Sequence, residues 1–194
     1  ITLAGDFDSG EALGLINQYF ADIPRGADVP PLAKDPTVAP LIGETVRQVV
    51  VSDVPLPRVI MAFRIPPFSS DDFAVAEVAQ ALLGQGRAAR LYRRLVRERR
   101  VAKSVVSYAF PLLSGASMLL VWATGYPGME HQALEAAIAE EVEDLRNAET
   151  AEVERAIALT ETDLVRGLER VSERADLLSA FELHFDDQIG RAHV

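Results

Sequence analysis

Apolar residues recur at three- and four-residue intervals in several stretches of the chain, and each such stretch predicts an amphipathic helix. Val75, Val78, Ala79, Leu82 and Leu83 form the plainest stripe. Ser69-Ser70-Asp71-Asp72 offers capping oxygens before it, and Gly84 a C-cap after it. Ala88 to Val96 resumes the spacing with Leu91, Leu95 and Val96 inward and arginines outward. Leu134, Ala137, Ile138, Val142 and Leu145 mark a helix between Met129 and Arg146, with acids outside. A long helix from Thr150 carries Val153, Ile157, Thr160, Leu164, Leu168, Val171, Ala175 and Leu178, with Gly167 as a point of local bending. Near the start, Ile1 to Ala4 reads as the end of a strand. Gly5 to Ser9 then turns into a helix with Leu13, Ile16, Tyr19 and Phe20 on one face, stopping before Pro24.

β-Branched runs mark the strands. Val46–Val51 and Val59–Ile65 are bounded by prolines, and Val101–Phe110 with Ser117–Thr124 reads as an antiparallel pair across Pro111–Gly115. Pro24 to Pro40, with Pro30, Pro31 and Pro36 between them, predicts an extended connector. Strands and helices in this arrangement imply an α+β fold: an antiparallel-rich mixed sheet with helices packed on one face.

The 194 residues suit a single α+β domain spanning residues 1–194. The opening on a strand end, with no Met and no basic leader, suggests a piece of a longer chain, truncated at both ends. A composition of 49% hydrophobic and 25% charged residues excludes disorder and coiled coil as the main description. No Cys is present, which removes disulfides, thiolate metal sites and cysteine nucleophiles. The longest apolar stretch, Ala116–Ala123, falls far short of the roughly 20 residues a membrane span needs.

Charge is distributed unevenly. The net charge is −10, yet Arg87, Arg90, Arg93, Arg94, Arg97, Arg99, Arg100 and Lys103 stand against Glu98 alone, a local +7. From Glu140 to Glu154 the sign reverses. The basic segment admits three readings: a solvated or internally neutralised face, a dock for an acidic protein or peptide, or a nucleic-acid surface. The last is disfavoured, because Tyr92 is the only aromatic in the segment and the rest of the chain repels phosphate.

Hydrolytic chemistry is hard to place. The three histidines, His131, His184 and His193, occur in no His-Glu-x-x-His or His-x-x-Glu-His string. His131 and Glu135 lie one helical turn apart, which makes two ligands rather than a centre, and His184 with Asp186 and Asp187 sits where a helix should end. There is no Gly-x-Ser-x-Gly elbow. Gly84-x-Gly86 follows a helix, where capping explains it better than phosphate binding does. Asp71/Asp72 and Glu140/Glu141 fit a cap and a wet helix face.

Four segments in order resemble a half-molecule of the pitrilysin/insulinase family of zinc metallopeptidases. They are Leu3-Ala4-Gly5-Asp6-Phe7-Asp8 with Tyr19-Phe20-Ala21-Asp22-Ile23-Pro24; Leu56-Pro57-Arg58-Val59; Leu82-Leu83-Gly84-Gln85-Gly86-Arg87-Ala88-Ala89-Arg90-Leu91-Tyr92 leading into Leu95-Val96-Arg97-Glu98; and Val101-Ala102-Lys103-Ser104-Val105. The resemblance implies one half of a clam shell that closes on an unfolded peptide substrate. Because the inverted zinc motif is missing, it implies the noncatalytic half, inactive alone, with no cofactor of its own and zinc in a catalytic partner half, fused or separate. The family's noncatalytic half commonly contacts substrate backbone through an Arg in the Leu-Arg-Glu stretch and a Tyr seven residues later. Arg97 matches the Arg; the chain here is one residue shorter and presents Lys103 instead of the Tyr. Arg97 and Lys103 are thus the implied substrate-binding residues, with no catalytic and no metal-binding residue, no nucleic-acid partner and no membrane span. A catalytically degenerate scaffold of the same fold is the alternative. Analogy with bacterial relatives favours a periplasmic or otherwise exported protein over a cytoplasmic one.

Overall fold

The computed structural model describes residues 1–28, 30, 43–113 and 115–186. These fall into two compact units, one of residues 1–34 with 164–194 and one of residues 35–163.

The second unit is built on three strands. β1 (Arg58–Ile65), β2 (Ala102–Phe110) and β3 (Ser117–Gly125) lie in the order β1–β3–β2, both pairings antiparallel. Alternation sets the faces. Val59, Ala123 and Val105 share one row, and Phe63, Leu119 and Ala109 another, all on the side that enters the core. The opposite side carries Ile60–Trp122–Val106 and Ala62–Leu120–Tyr108, and Ile60 and Tyr108 are exposed there. Among the described residues of this unit, α2 (Asp72–Gly84), the helix Tyr92–Glu98 and α3 (His131–Glu143) pack against the strands. Leu83, Leu91, Leu95, Val121, Leu134 and Ile138 fill the space between them, each fully buried. Each such side chain is worth about 1.5–3 kcal/mol relative to exposure.

Glycine 84 does something other than cap. It ends α2 within the helix, and a Cβ there would stand 2.2 Å from Ser107 Oγ. Its bareness lets α2 lie directly on β2, where Gln80 Nε2 donates to Ser107 O (3.0 Å) and Oγ (2.9 Å), and Ser107 Oγ donates back to Gln80 O (3.0 Å). The residue that needs a left-handed backbone is Gly86, at φ +80°.

Two expected strands are absent. Ile1–Ala4 and Val46–Val51 are irregular, and Val46, Val49, Val50 and Val51 are exposed. Among the described residues neither run pairs with another strand, and β-branched composition without a ladder partner leaves the backbone to water. The connector's Pro31, Pro36 and Pro40 lie outside the described residues.

Past α3, a 3₁₀ turn (Asp144–Asn147) leads to α4 (Thr150–Glu169). The expected long helix is broken: Arg170 adopts φ −84°, ψ 122°, and α5 (Val171–Phe185) starts afresh. The break falls three residues beyond Gly167, whose carbonyl accepts the Arg170 N–H (3.0 Å) while Arg174 Nε caps Leu168 O (2.9 Å). In the first unit α1 (Ser9–Phe20) is capped as its sequence suggests, Asp8 Oδ1 accepting the Glu11 N–H at 2.8 Å, yet none of its residues is buried.

Candidate functional site

The segment from Arg90 to Lys103 departs from regular geometry three times. Tyr92–Glu98, expected as α-helix, is wound as a π-helix. The Arg99 N–H reaches Arg94 O, five residues back, at 2.8 Å, and the Val101 N–H reaches Leu95 O at 3.0 Å. Arg100 then takes a left-handed backbone at φ +54°, a conformation a side chain adopts at a cost. In β2, Ala102 pairs with Gly125 and Ser104 with Thr124, so Lys103 is the extra residue of a β-bulge. Such irregularities persist where surrounding contacts hold them.

The holding contacts are ionic. Arg90 is 2% exposed and spends its guanidinium on Glu152 Oε2 (2.6 and 3.2 Å), Asp144 O (2.8 Å) and Oδ2 (3.0 Å), and Asn147 O (3.3 Å). Arg93 reaches Glu152 (3.5 Å), Arg94 reaches Glu141 (3.4 Å) and Asp144 (3.2 Å), and Arg99 grips both oxygens of Glu140 at 2.7 Å each. A polar cleft of about 300 Å³ is lined by Arg90, Arg93, Arg94, Asp144 and Glu152. The acid run therefore neutralises half of the basic block from within.

Proton affinities follow the contacts. The Arg90 hydrogen bond holds the Glu152 carboxyl below the usual range, and the Arg99 hydrogen bond does the same for Glu140. Asp144 is lowered first by the Asn147 amide and then by Arg90 and Arg94. Glu141 behaves oppositely. It is fully buried, its Oε2 accepts no hydrogen bond among the described residues, and burial raises its pKa despite Arg94 and Arg99. Reading Glu140/Glu141 together as a wet helix face holds for the first and fails for the second, because α3 turns Glu141 toward the π-helix.

The remaining cations, Arg87, Arg97, Arg100 and Lys103, are exposed and form no ion pair among the described residues. Arg97 sits in the last turn of the π-helix and Lys103 on the bulge, so both implied substrate contacts lie on the same irregular stretch.

A family model described as the peptidase M16 inactive domain matches residues 1–160. The chain belongs to the peptidase M16 inactive-domain family. Its curated relatives include the zinc protease PqqE of Helicobacter pylori, 25% identical over an alignment of 193 residues that covers 97% of this chain and 43% of that protein. A solved protease from Helicobacter pylori is 27% identical with a TM-score of 0.78, over 96% of this chain and 45% of the other. A peptidase M16 inactive domain from Pseudomonas fluorescens, 16% identical, shares the fold at a TM-score of 0.57 over 70% of this chain and 32% of that one. The M16 domain thus spans less than half the length of the first two, and its antiparallel sheet with packed helices is the fold they share.

Among the described residues, the two histidines of this M16 inactive domain stand apart from each other on different helices. His131 starts α3 while Glu135, its neighbour one turn on, is taken by Arg47 Nε at 2.7 Å. His184 occupies the exposed last turn of α5, and Asp187 and His193 lie outside the described residues. Among the described residues no three His, Asp or Glu side chains gather as a metal site, and no helix is long and apolar enough to cross a membrane. What sequence reasoning missed is the buried Arg90–Glu152–Asp144 cluster. Its signal was Arg90 itself, adjacent to the inward Leu91 and matched in sign to the acid run.

Proposed function

We propose that this M16 inactive domain is the noncatalytic half of a zinc metallopeptidase, completing a chamber with a zinc-bearing half and gripping an unfolded peptide for hydrolysis there. The observation that carries the reading is Arg97: an exposed guanidinium without an ion pair, on a π-helix whose other arginines, Arg93 and Arg94, are both held in ion pairs. An extended peptide offers a row of carbonyl acceptors, and a forked guanidinium donates to them at fixed spacing. Lys103 on the bulge adds a second, more mobile donor. Their contribution is orientation of the scissile bond, which lowers the entropic part of the barrier. Metal chemistry belongs to the partner half, and no step of it passes through this chain's residues.

The test is a reconstitution. This chain combined with its zinc-bearing half should cleave an unstructured fluorogenic peptide, with each component alone inactive. Arg97→Ala should lower kcat/KM of the mixture about tenfold, the loss of one charge-assisted hydrogen bond. A mixture no more active than its parts would instead fit the degenerate scaffold.

A further inference from the structure

The side of the sheet turned away from the core changes character at one end. Its middle is apolar, with Ile60, Trp122 and Val106 in one row and Ile60 63% exposed. The next row toward the start of β1 is Arg58–Thr124–Ser104, and here the bulge matters. Ala102 is fully buried and Val105 packs on the core, so two residues, Lys103 and Ser104, lie between inward positions where alternation allows one. Both are exposed, which sets Lys103 beside Ser104 on the far side. Arg58 on β1 and Lys103 on β2 therefore flank the end of β3, two strand spacings or about 10 Å apart. Both cations are exposed, and neither forms an ion pair among the described residues. No residue that the three strands present on this side is an acid.

We propose that this end of the sheet takes an acidic side chain of an extended peptide between Arg58 and Lys103, with a large apolar side chain two residues away on the Ile60–Trp122–Val106 row. Charge complementarity supplies the acid. Two unpaired cations with no carboxylate on their own side of the sheet suit a peptide carboxylate, and Arg58 can fork onto both of its oxygens. Strand geometry supplies the spacing: residues i and i+2 of an extended peptide face the same way about 6.8 Å apart, the step that separates Arg58 from Ile60 on β1. The inference deepens the peptide-gripping reading and rests on it for any bearing on cleavage. Binding alone tests the acid site.

Trp122 is the only tryptophan of the chain and stands in the apolar row, so its emission reports occupancy. The full chain is titrated with two peptides blocked at both ends, one with Glu and Leu two residues apart in a Gly/Ser background and one with Gln in place of Glu. The Glu peptide should bind about tenfold tighter, as expected for a charge-assisted contact, and Arg58→Gln/Lys103→Gln should bring its Kd to that of the Gln peptide. On the unsubstituted protein the same advantage should shrink in about 1 M salt. Ile60→Ser should weaken both peptides alike. An emission unmoved by either peptide, equal Kd values, an acid preference that survives in the double variant, or one that appears only when the C-terminus is left unblocked overturns the proposal. If binding behaves as expected while reconstitution with the zinc-bearing half gives no cleavage, the acid site stands and the peptidase reading falls; cleavage of the Glu and Gln peptides with equal KM gives the reverse.

Discussion

The two sides of the segment from Arg87 to Lys103 are made of the same residues and meet opposite fates. On the inner side Arg90, Arg93, Arg94 and Arg99 are spent on Glu140, Glu141, Asp144 and Glu152; on the outer side Arg87, Arg97, Arg100 and Lys103 face water. Eight positive charges in seventeen residues suggest a surface for polyanions, yet half of that charge is paired with carboxylates of the same fold. Local charge counts describe composition, whereas surface potential depends on which side chains are already engaged. Burial also changes what each group contributes. An exposed ion pair is worth little, while a buried pair is costly to break because its survivor is left charged without water.

The largest expected effect comes from breaking the inner side at its centre. Arg90→Ala should destabilise the protein by about 3–5 kcal/mol, since Glu152 and Asp144 then lose their common partner. Urea unfolding would reveal it, and Arg97→Ala in the same assay should stay within about 0.5 kcal/mol of the parent. Equal losses for the two would erase the contrast between the sides.

Acidification should weaken the inner side next. Glu152, Glu140 and Asp144 have lowered folded-state pKa values, so their stabilisation is complete above the ordinary carboxylate range and is lost as the pH falls through the folded values. Glu141 has a raised value, so its contribution is present below that range and lost as the pH rises through its folded value. Glu141→Gln should therefore be more stable than the parent at pH 7 and equal to it at pH 3, as thermal or urea midpoints at the two pH values would show. The smallest effect belongs to the outer side. Arg100→Gly should gain about 0.5–1 kcal/mol by relieving the left-handed residue, without changing the pairs on the inner side.

Where local spacing and final packing agree, the elements were legible in the sequence: β1, the β2–β3 pair, α2 and α3 lie close to where alternation and periodicity put them. Leu83, Leu91, Leu95, Leu134 and Ile138 were likewise evident as core. Disagreement came where a long-range partner decides. Val46–Val51 has strand composition and no ladder to join among the described residues. Gly84 reads as a cap because Ser107, with which any side chain there would collide, is distant in sequence. The π-winding could not be read from spacing at all, since Leu91 and Leu95 satisfy an α-helical pattern, and the choice rests on where Glu140, Glu141 and Glu152 stand. Arg97 and Lys103 were marked by resemblance; their exposure and the anchoring of their neighbours came only with the fold.

The bulge at Lys103 makes that corner interchangeable. Because the ladder steps over this residue, Ser104 through Phe110 keep their partners on β3 whatever side chain stands at 103. The position acts as a socket. A Lys103→Tyr graft, supplying the ring that the noncatalytic half commonly carries, swaps an ammonium for a phenol without rewiring a single rung of the sheet.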